Sequence, residues 1–147
     1  MELSARRWGP LAAFGLFSML TQVVRAAEPC KLLTVQEINQ ALGASVKPTP
    51  LGTTGCLWQG SPQRVSIVVR DASAWARLTT PISGINKTSV SGLGDAAQIS
   101  DSGKENVLTL SVRQGANVIV LTVYGIQSAE RQRSLEESLA RLALPRL

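Results

Sequence analysis

Hydrophobic and polar positions alternate most regularly in the second half of the chain. From Val107 to Arg113, Leu108, Leu110 and Val112 fall on one side and Thr109, Ser111 and Arg113 on the other. That period of two predicts a strand with one buried face. Gln114-Gly115-Ala116-Asn117 reads as a hairpin turn, and Val118–Tyr124 is apolar on both faces, which places it centrally in a sheet. Arg64–Arg70 carries Val65, Ile67 and Val69 on one face. Cys56–Gln59 predicts a shorter strand before it, joined by a turn at Gly60-Ser61-Pro62. A fifth strand is expected at Ala96–Ser100, between the turns Gly92-Leu93-Gly94-Asp95 and Asp101-Ser102-Gly103-Lys104.

A period near 3.6 marks three helices. Thr34 followed by Glu37 is a capping box, with Leu33 and Ile38 as its hydrophobic staple. Val35, Ile38, Ala41 and Leu42 then form a stripe, and Gly43 supplies the permissive residue after the helix. Asp71 is placed to cap a short helix over 72–78 whose apolar pair is Trp75 and Leu78. Ser128 opens a last helix with Leu135, Leu139 and Leu142 at i, i+4 and i+7. Arg133, Glu137 and Arg141 would be i,i+4 neighbours on its solvated face. Ala44–Gly55 and Pro81–Ser91, rich in Pro, Thr, Ser and Gly, read as connections. The order predicts an α+β fold: an antiparallel sheet of about five strands with helices packed on one face, and one disulfide.

The N-terminus changes the compartment. Arg6 and Arg7 precede the apolar run 11–20, and Val24-Arg25-Ala26 offers apolar and small residues at −3 and −1. Residues 1–26 are therefore expected to be a cleaved signal peptide and residues 27–147 a single periplasmic or secreted domain. Glu28-Pro29 stands where a lipobox would precede Cys30, and Trp8-Gly9-Pro10 stands where a twin-arginine signal needs apolar residues. Retention as a membrane anchor is the alternative, weakened by Pro10 and Gln22. Behind such a signal the two cysteines, Cys30 and Cys56, most simply form one disulfide; a redox pair or reactive thiols are the alternatives.

Composition mainly excludes. The 147 residues are 44% hydrophobic, enough for one packed domain. Arginine-rich, with abundant Ala, Leu and Val, the chain hints at a GC-rich bacterial source. Removing residues 1–26 takes away three arginines and one glutamate and lowers the net charge from +5 to +3. The remaining basic residues are dispersed, so no nucleic-acid partner is expected. There is no histidine, which removes the commonest general base, the His-containing triads and the usual metal ligand. No metal and no cofactor are expected.

Gly92-Leu93-Gly94-Asp95-Ala96-Ala97 matches a Gly-x-Gly-x-x-Ala dinucleotide fingerprint by letter, but that motif needs a strand before it and a helix after. A tight turn is the better reading. The Asn86-Lys87-Thr88 sequon has no consequence in a bacterial protein. Trp58, Trp75 and Tyr124 could line a ligand groove, although aromatics at strand and helix positions usually serve the core. Trp58, Trp75, Gly92, Gly94 and Asp95 are thus the candidate binding surface, and Asp95 or Asp101 beside the glycine-rich turn the candidates for carboxylate catalysis.

Pro29-Cys30-x-Leu32-Leu33-Thr34-x-x-Glu37-Ile38-x-x-Ala41-Leu42-Gly43, Gly55-Cys56-x-Trp58 and the Gly92–Ala97 turn together resemble a family of small bacterial secreted proteins and lipoproteins of unknown function. Members are frequent in actinobacteria and carry a paired-cysteine α+β domain. The resemblance spans residues 29–147 and implies an extracytoplasmic domain with a Cys30–Cys56 disulfide and no catalytic residues. The functional expectation is a non-enzymatic binding domain for a protein or small ligand of the cell envelope. An inhibitor of a secreted enzyme and a carboxylate-dependent enzyme are the alternatives.

Overall fold

The computed structural model describes residues 27–103 and 107–147, so the expected signal segment 1–26 and Lys104 lie outside the described residues. Local capping sets the first element. After a 3-10 turn at Pro29–Lys31, α1 spans Val35–Leu42. The Glu37 amide donates to Thr34 Oγ1 at 3.2 Å and the Thr34 amide to Glu37 Oε2 at 2.8 Å, completing the capping box. Gly43 closes the helix at φ 67°, in the left-handed region that glycine adopts without penalty. Leu33, Ile38 and Leu42 are buried, whereas Val35, expected on the same stripe, is 36% exposed.

Seven strands follow: β1 Lys47–Leu51, β2 Gly55–Gln59, β3 Arg64–Asp71, β4 Asn86–Val90, β5 Ala96–Asp101, β6 Leu108–Gln114 and β7 Asn117–Tyr124. Helix α2 spans Ala74–Thr79 between β3 and β4, and α3 spans Ala129–Ala143 before a 3-10 turn at Leu144–Arg146. All strands join one antiparallel sheet in the order β1-β2-β3-β7-β6-β5-β4. The chain meanders through β1–β3, crosses by α2 to the far edge, and meanders back so that β7 closes against β3. The doubly apolar β7 is central, as its pattern predicts.

The strand count of about five is corrected to seven. The two extra strands, β1 and β4, are the two edges. An edge strand need not alternate: every residue of β1 is exposed, and β4 buries only Val90 fully. Pro48 and Pro50 sit in β1, which only an edge tolerates.

The sheet has two unlike faces. Cys56, Trp58, Val65, Ile67, Ile99, Leu110, Val112, Ile119, Leu121 and Val123 point to one side and pack with residues of α1 and α3 into the main core. On the other side lies α2. Gln98, which alternates with the core residues Ala97 and Ile99, donates to the Leu78 carbonyl at 2.7 Å. Lys87, cross-strand from Ser100, donates to the same carbonyl at 2.6 Å. The expectation of helices on a single face is corrected accordingly: the β3–β4 crossover carries α2 over the opposite face.

Three ties hold α1 in place. The Cys30–Cys56 disulfide joins the turn before α1 to β2 with a Cα–Cα distance of 5.0 Å. Asn39 Oδ1 accepts from the Val46 amide at 2.9 Å. Arg146, from the far end of the chain, donates to the Leu32 carbonyl at 2.9 Å and to both Glu37 oxygens, at 2.8 and 2.6 Å. This arginine holds the Glu37 carboxyl down at about 2, from an ordinary value of 4.5. The stabilisation is present above pH 4.5 and is lost as pH falls toward 2. It is modest, because Arg146 is exposed and water screens the pair.

A disulfide persists in oxidising surroundings, which points to a non-cytoplasmic location. No helix among the described residues is long and apolar enough to cross a membrane. Closing a loop of this length contributes about 3 kcal/mol by the chain-entropy relation. Cys30→Ser and Cys56→Ser should each lower the melting temperature by on the order of 10 °C, read by circular dichroism. Unchanged melting in both variants would show that the bridge carries no stability.

Candidate functional site

The sequence candidates do not assemble into one site. Trp58 lies in β2 with no exposed surface, so it is a core residue, and its indole N–H has no partner among the described residues. Trp75 of α2 is half-buried on the opposite face of the sheet, with the Arg113 guanidinium 5.8 Å from its ring. Tyr124, also half-buried, lies under Arg64 at 4.4 Å.

Gly92-Leu93-Gly94-Asp95 links β4 to β5 and fastens that turn to the β6–β7 hairpin. Leu93 is buried, the Asp95 amide donates to the Arg113 carbonyl at 2.8 Å, and Asp95 Oδ2 accepts from the Gly115 amide at 2.8 Å. At Gly94, with φ 52°, a Cβ would stand 2.5 Å from the Arg113 carbonyl oxygen, so only glycine permits this approach. A strand, not a helix, follows the glycines. The dinucleotide fingerprint therefore lacks the helix N-terminus that would bind phosphate. Asp101 likewise serves a turn, accepting from the Gly103 amide at 2.7 Å.

The most perturbed chemistry lies where the sequence offered no motif. On α3 the buried face runs through Gln132, Glu136, Leu139, Ala140 and Ala143, while Leu142 is 42% exposed and Leu135 only half-buried. The expected leucine stripe is thus corrected by a rotation of the helix. Its cause lies in the sheet. The β6–β7 pairing stops at Leu110↔Leu121, although β5 pairs with β6 as far as Leu108 and β3 with β7 beyond Val123.

Gln132 and Glu136 fill that gap. Gln132 Nε2 donates to the Val123 carbonyl at 2.7 Å and the Leu108 carbonyl at 3.2 Å. Glu136 Oε1 accepts from the Val123 amide at 3.0 Å and from Gln132 Nε2 at 3.1 Å. Two side chains supply the partners that the parted ladder leaves open. Their spacing of four places both on one helix face, and the same spacing continues to Ala140. That small-residue continuation was the available signal.

Burial raises the Glu136 carboxyl to about 8, against the opposing effect of the Val123 and Gln132 hydrogen bonds, so it is protonated at neutral pH. Glu136 Oε2 and Gln132 Oε1 have no partner among the described residues. Glu136 has no exposed surface and Gln132 only 1%, so neither side chain faces solvent. It is structural chemistry.

An open cleft lies elsewhere. A cleft of about 540 Å3 is bounded by the β1–β2 turn, the end of β3, the start of α2 and the β6–β7 turn. Thr53, Thr54, Arg70, Asp71, Ser73, Arg77 and Asn117 supply its polar side chains. Asp71, expected as the cap of α2, instead accepts from the Ser73 amide at 2.8 Å, which keeps its carboxyl below the usual range. Helix α2 then starts at Ala74 without a side-chain cap. Two arginines against one committed carboxylate leave the cleft cationic. Among the described residues no group of His, Cys, Asp and Glu could hold a metal ion.

The raised Glu136 carboxyl fixes the sign of a pH dependence. The folded state binds this proton more tightly than the unfolded chain, so stability is full below about pH 4.5 and falls as pH rises through about 8. The slope is at most about 1.4 kcal/mol per pH unit. Urea denaturation of Glu136→Gln across that window should show the slope flattened; an unaltered slope would place the titration elsewhere. Compared with known proteins, the chain has no match among family models, curated proteins or solved structures.

Proposed function

We propose that residues 27–147 form a periplasmic or secreted binding domain that holds a ligand without transforming it. The cationic cleft carries this reading. Arg70 and Arg77 line its wall, with hydroxyls of Thr53, Thr54 and Ser73 beside them, a donor-rich set suited to a carboxylate or phosphate group. The disposition of the acids supports the same reading. Asp71, Asp95 and Asp101 each accept from a backbone amide of their own turn or a neighbouring one, Glu37 is held by Arg146, and Glu136 is sealed in the core. A general base needs access to the proton it abstracts, which the buried Glu136, the acid with the raised carboxyl, does not have. The disulfide and the segment 1–26 support an extracytoplasmic place, and the resemblance to small secreted proteins of unknown function belongs to the same proposal.

Two measurements test it. Inorganic phosphate and citrate, titrated into the 15N-labelled domain, should produce saturable shifts in the amides of residues 53–54 and 70–77. Arg70→Ala combined with Arg77→Ala should weaken the response at least tenfold while melting stays unchanged. Turnover by the purified domain, abolished by changing one carboxylate, would sink the binding reading. The exported protein should also have an intact mass starting at Ala27, with both thiols blocked until reduction; a mass retaining residues 1–26 would make it membrane-anchored.

A further inference from the structure

The two edges of the sheet differ chemically. At the β1 edge, Pro48 pairs with Trp58 and Pro50 with Cys56. Proline has no N–H to donate, so the ladder bonds to β2 fall on Lys47, Thr49 and Leu51. The backbone nitrogens directed away from the sheet are then those of Pro48 and Pro50, and this edge offers acceptors only. At the opposite edge, Asn86-Lys87-Thr88-Ser89-Val90 contains no proline and pairs with β5 alone among the described residues. It keeps both donors and acceptors for a further strand.

Lysine on an edge normally repels an incoming strand. Here Lys87 is turned away, its ammonium held by the Leu78 and Thr80 carbonyls at the end of α2. On the other face, α3 lies over β6 and β7 and stops short of the edge. Between α3 and β4 runs a groove of about 300 Å3 lined by Thr88, Ile99, Asp101, Leu108, Glu130 and Arg133. The Arg133 charge is paired with Glu137 at 2.9 Å, so among the described residues Asp101 and Glu130 leave the groove acidic on a domain whose net charge is positive.

We propose that β4 and this groove receive an extended, basic peptide segment as an added strand. Its main chain would pair with β4, and a lysine or arginine at alternate positions would lean into the groove toward Glu130 and Asp101. Backbone pairing supplies affinity and the groove supplies selection, the division of labour usual in strand addition. The site is separate from the Arg70–Arg77 cleft, and its success does not depend on that reading.

The probe is acetyl-(Val-Lys)3-amide, with acetyl-(Val-Glu)3-amide and a proline-interrupted lysine peptide as controls. In 15N spectra of the disulfide-bonded domain, the lysine peptide should give saturable shifts at residues 86–90 and slow their amide exchange. Both controls should bind at least tenfold more weakly. Glu130→Lys should weaken the lysine peptide roughly fivefold, and Glu130→Gln, which keeps the shape of the exposed side chain, by less. The Arg70→Ala, Arg77→Ala variant should bind it as the parent does.

Absence of saturation at millimolar peptide, equal binding of lysine and glutamate peptides, or shifts confined to other strands would overturn the proposal. So would sedimentation showing a dimer in which residues 86–90 are already protected without peptide. Binding lost in the double-arginine variant but kept in Glu130→Lys would overturn it as well.

Discussion

The main chain of Val123 sets the terms for much of this fold. Its N–H and C=O are buried in the central strand, at the point where β6 has already parted from β7. An unpaired amide there would cost about 1–3 kcal/mol. Gln132 and Glu136 supply the partners, and in doing so they fix both the rotation and the position of α3. Leu139, Ala140 and Ala143 turn inward as a result and Leu142 turns out. The helix sits over β6 and β7, and the outer part of the β4–β5 face is left without a helical roof. A hydrogen-bond requirement in the core thus decides where the surface is open.

The second organising constraint is at α1, which has only eight residues and little intrinsic stability. Glu37 serves it twice, closing the capping box with Thr34 and receiving Arg146 from 109 residues away. The disulfide attaches the preceding turn to β2. Local capping, one covalent bond and one charge pair act on the same short segment, each through a different part of the chain.

Much of this was legible in the sequence because it was local. The Thr34–Glu37 box, the Gly43 stop, the alternation of β3 and β6 and the doubly apolar β7 depend on residues within a few positions of each other. What escaped has a common physical origin. β1 and β4 are edges, so their pattern is written by solvent on one flank and by prolines or hydroxyls, not by burial. Gln132 and Glu136 face a gap between strands that no single-residue periodicity reveals, and leucines nearby offered a more conventional stripe. Arg146 pairs across the whole chain. Of the candidate surface, Trp58 went to the core, Trp75 to the back of the sheet, and Gly94 and Asp95 to a clamp on the β6–β7 hairpin, since side chains able to bind a ligand are equally able to bind their own fold.

The two prolines of β1 have a consequence for valency. A sheet open at both ends can grow without limit, because each added copy presents a fresh edge to the next. With the outward nitrogens of Pro48 and Pro50 unable to donate, this sheet has one end that terminates. Capped in this way at its β1 end, the sheet lacks the second donor-bearing edge from which a fibre would propagate.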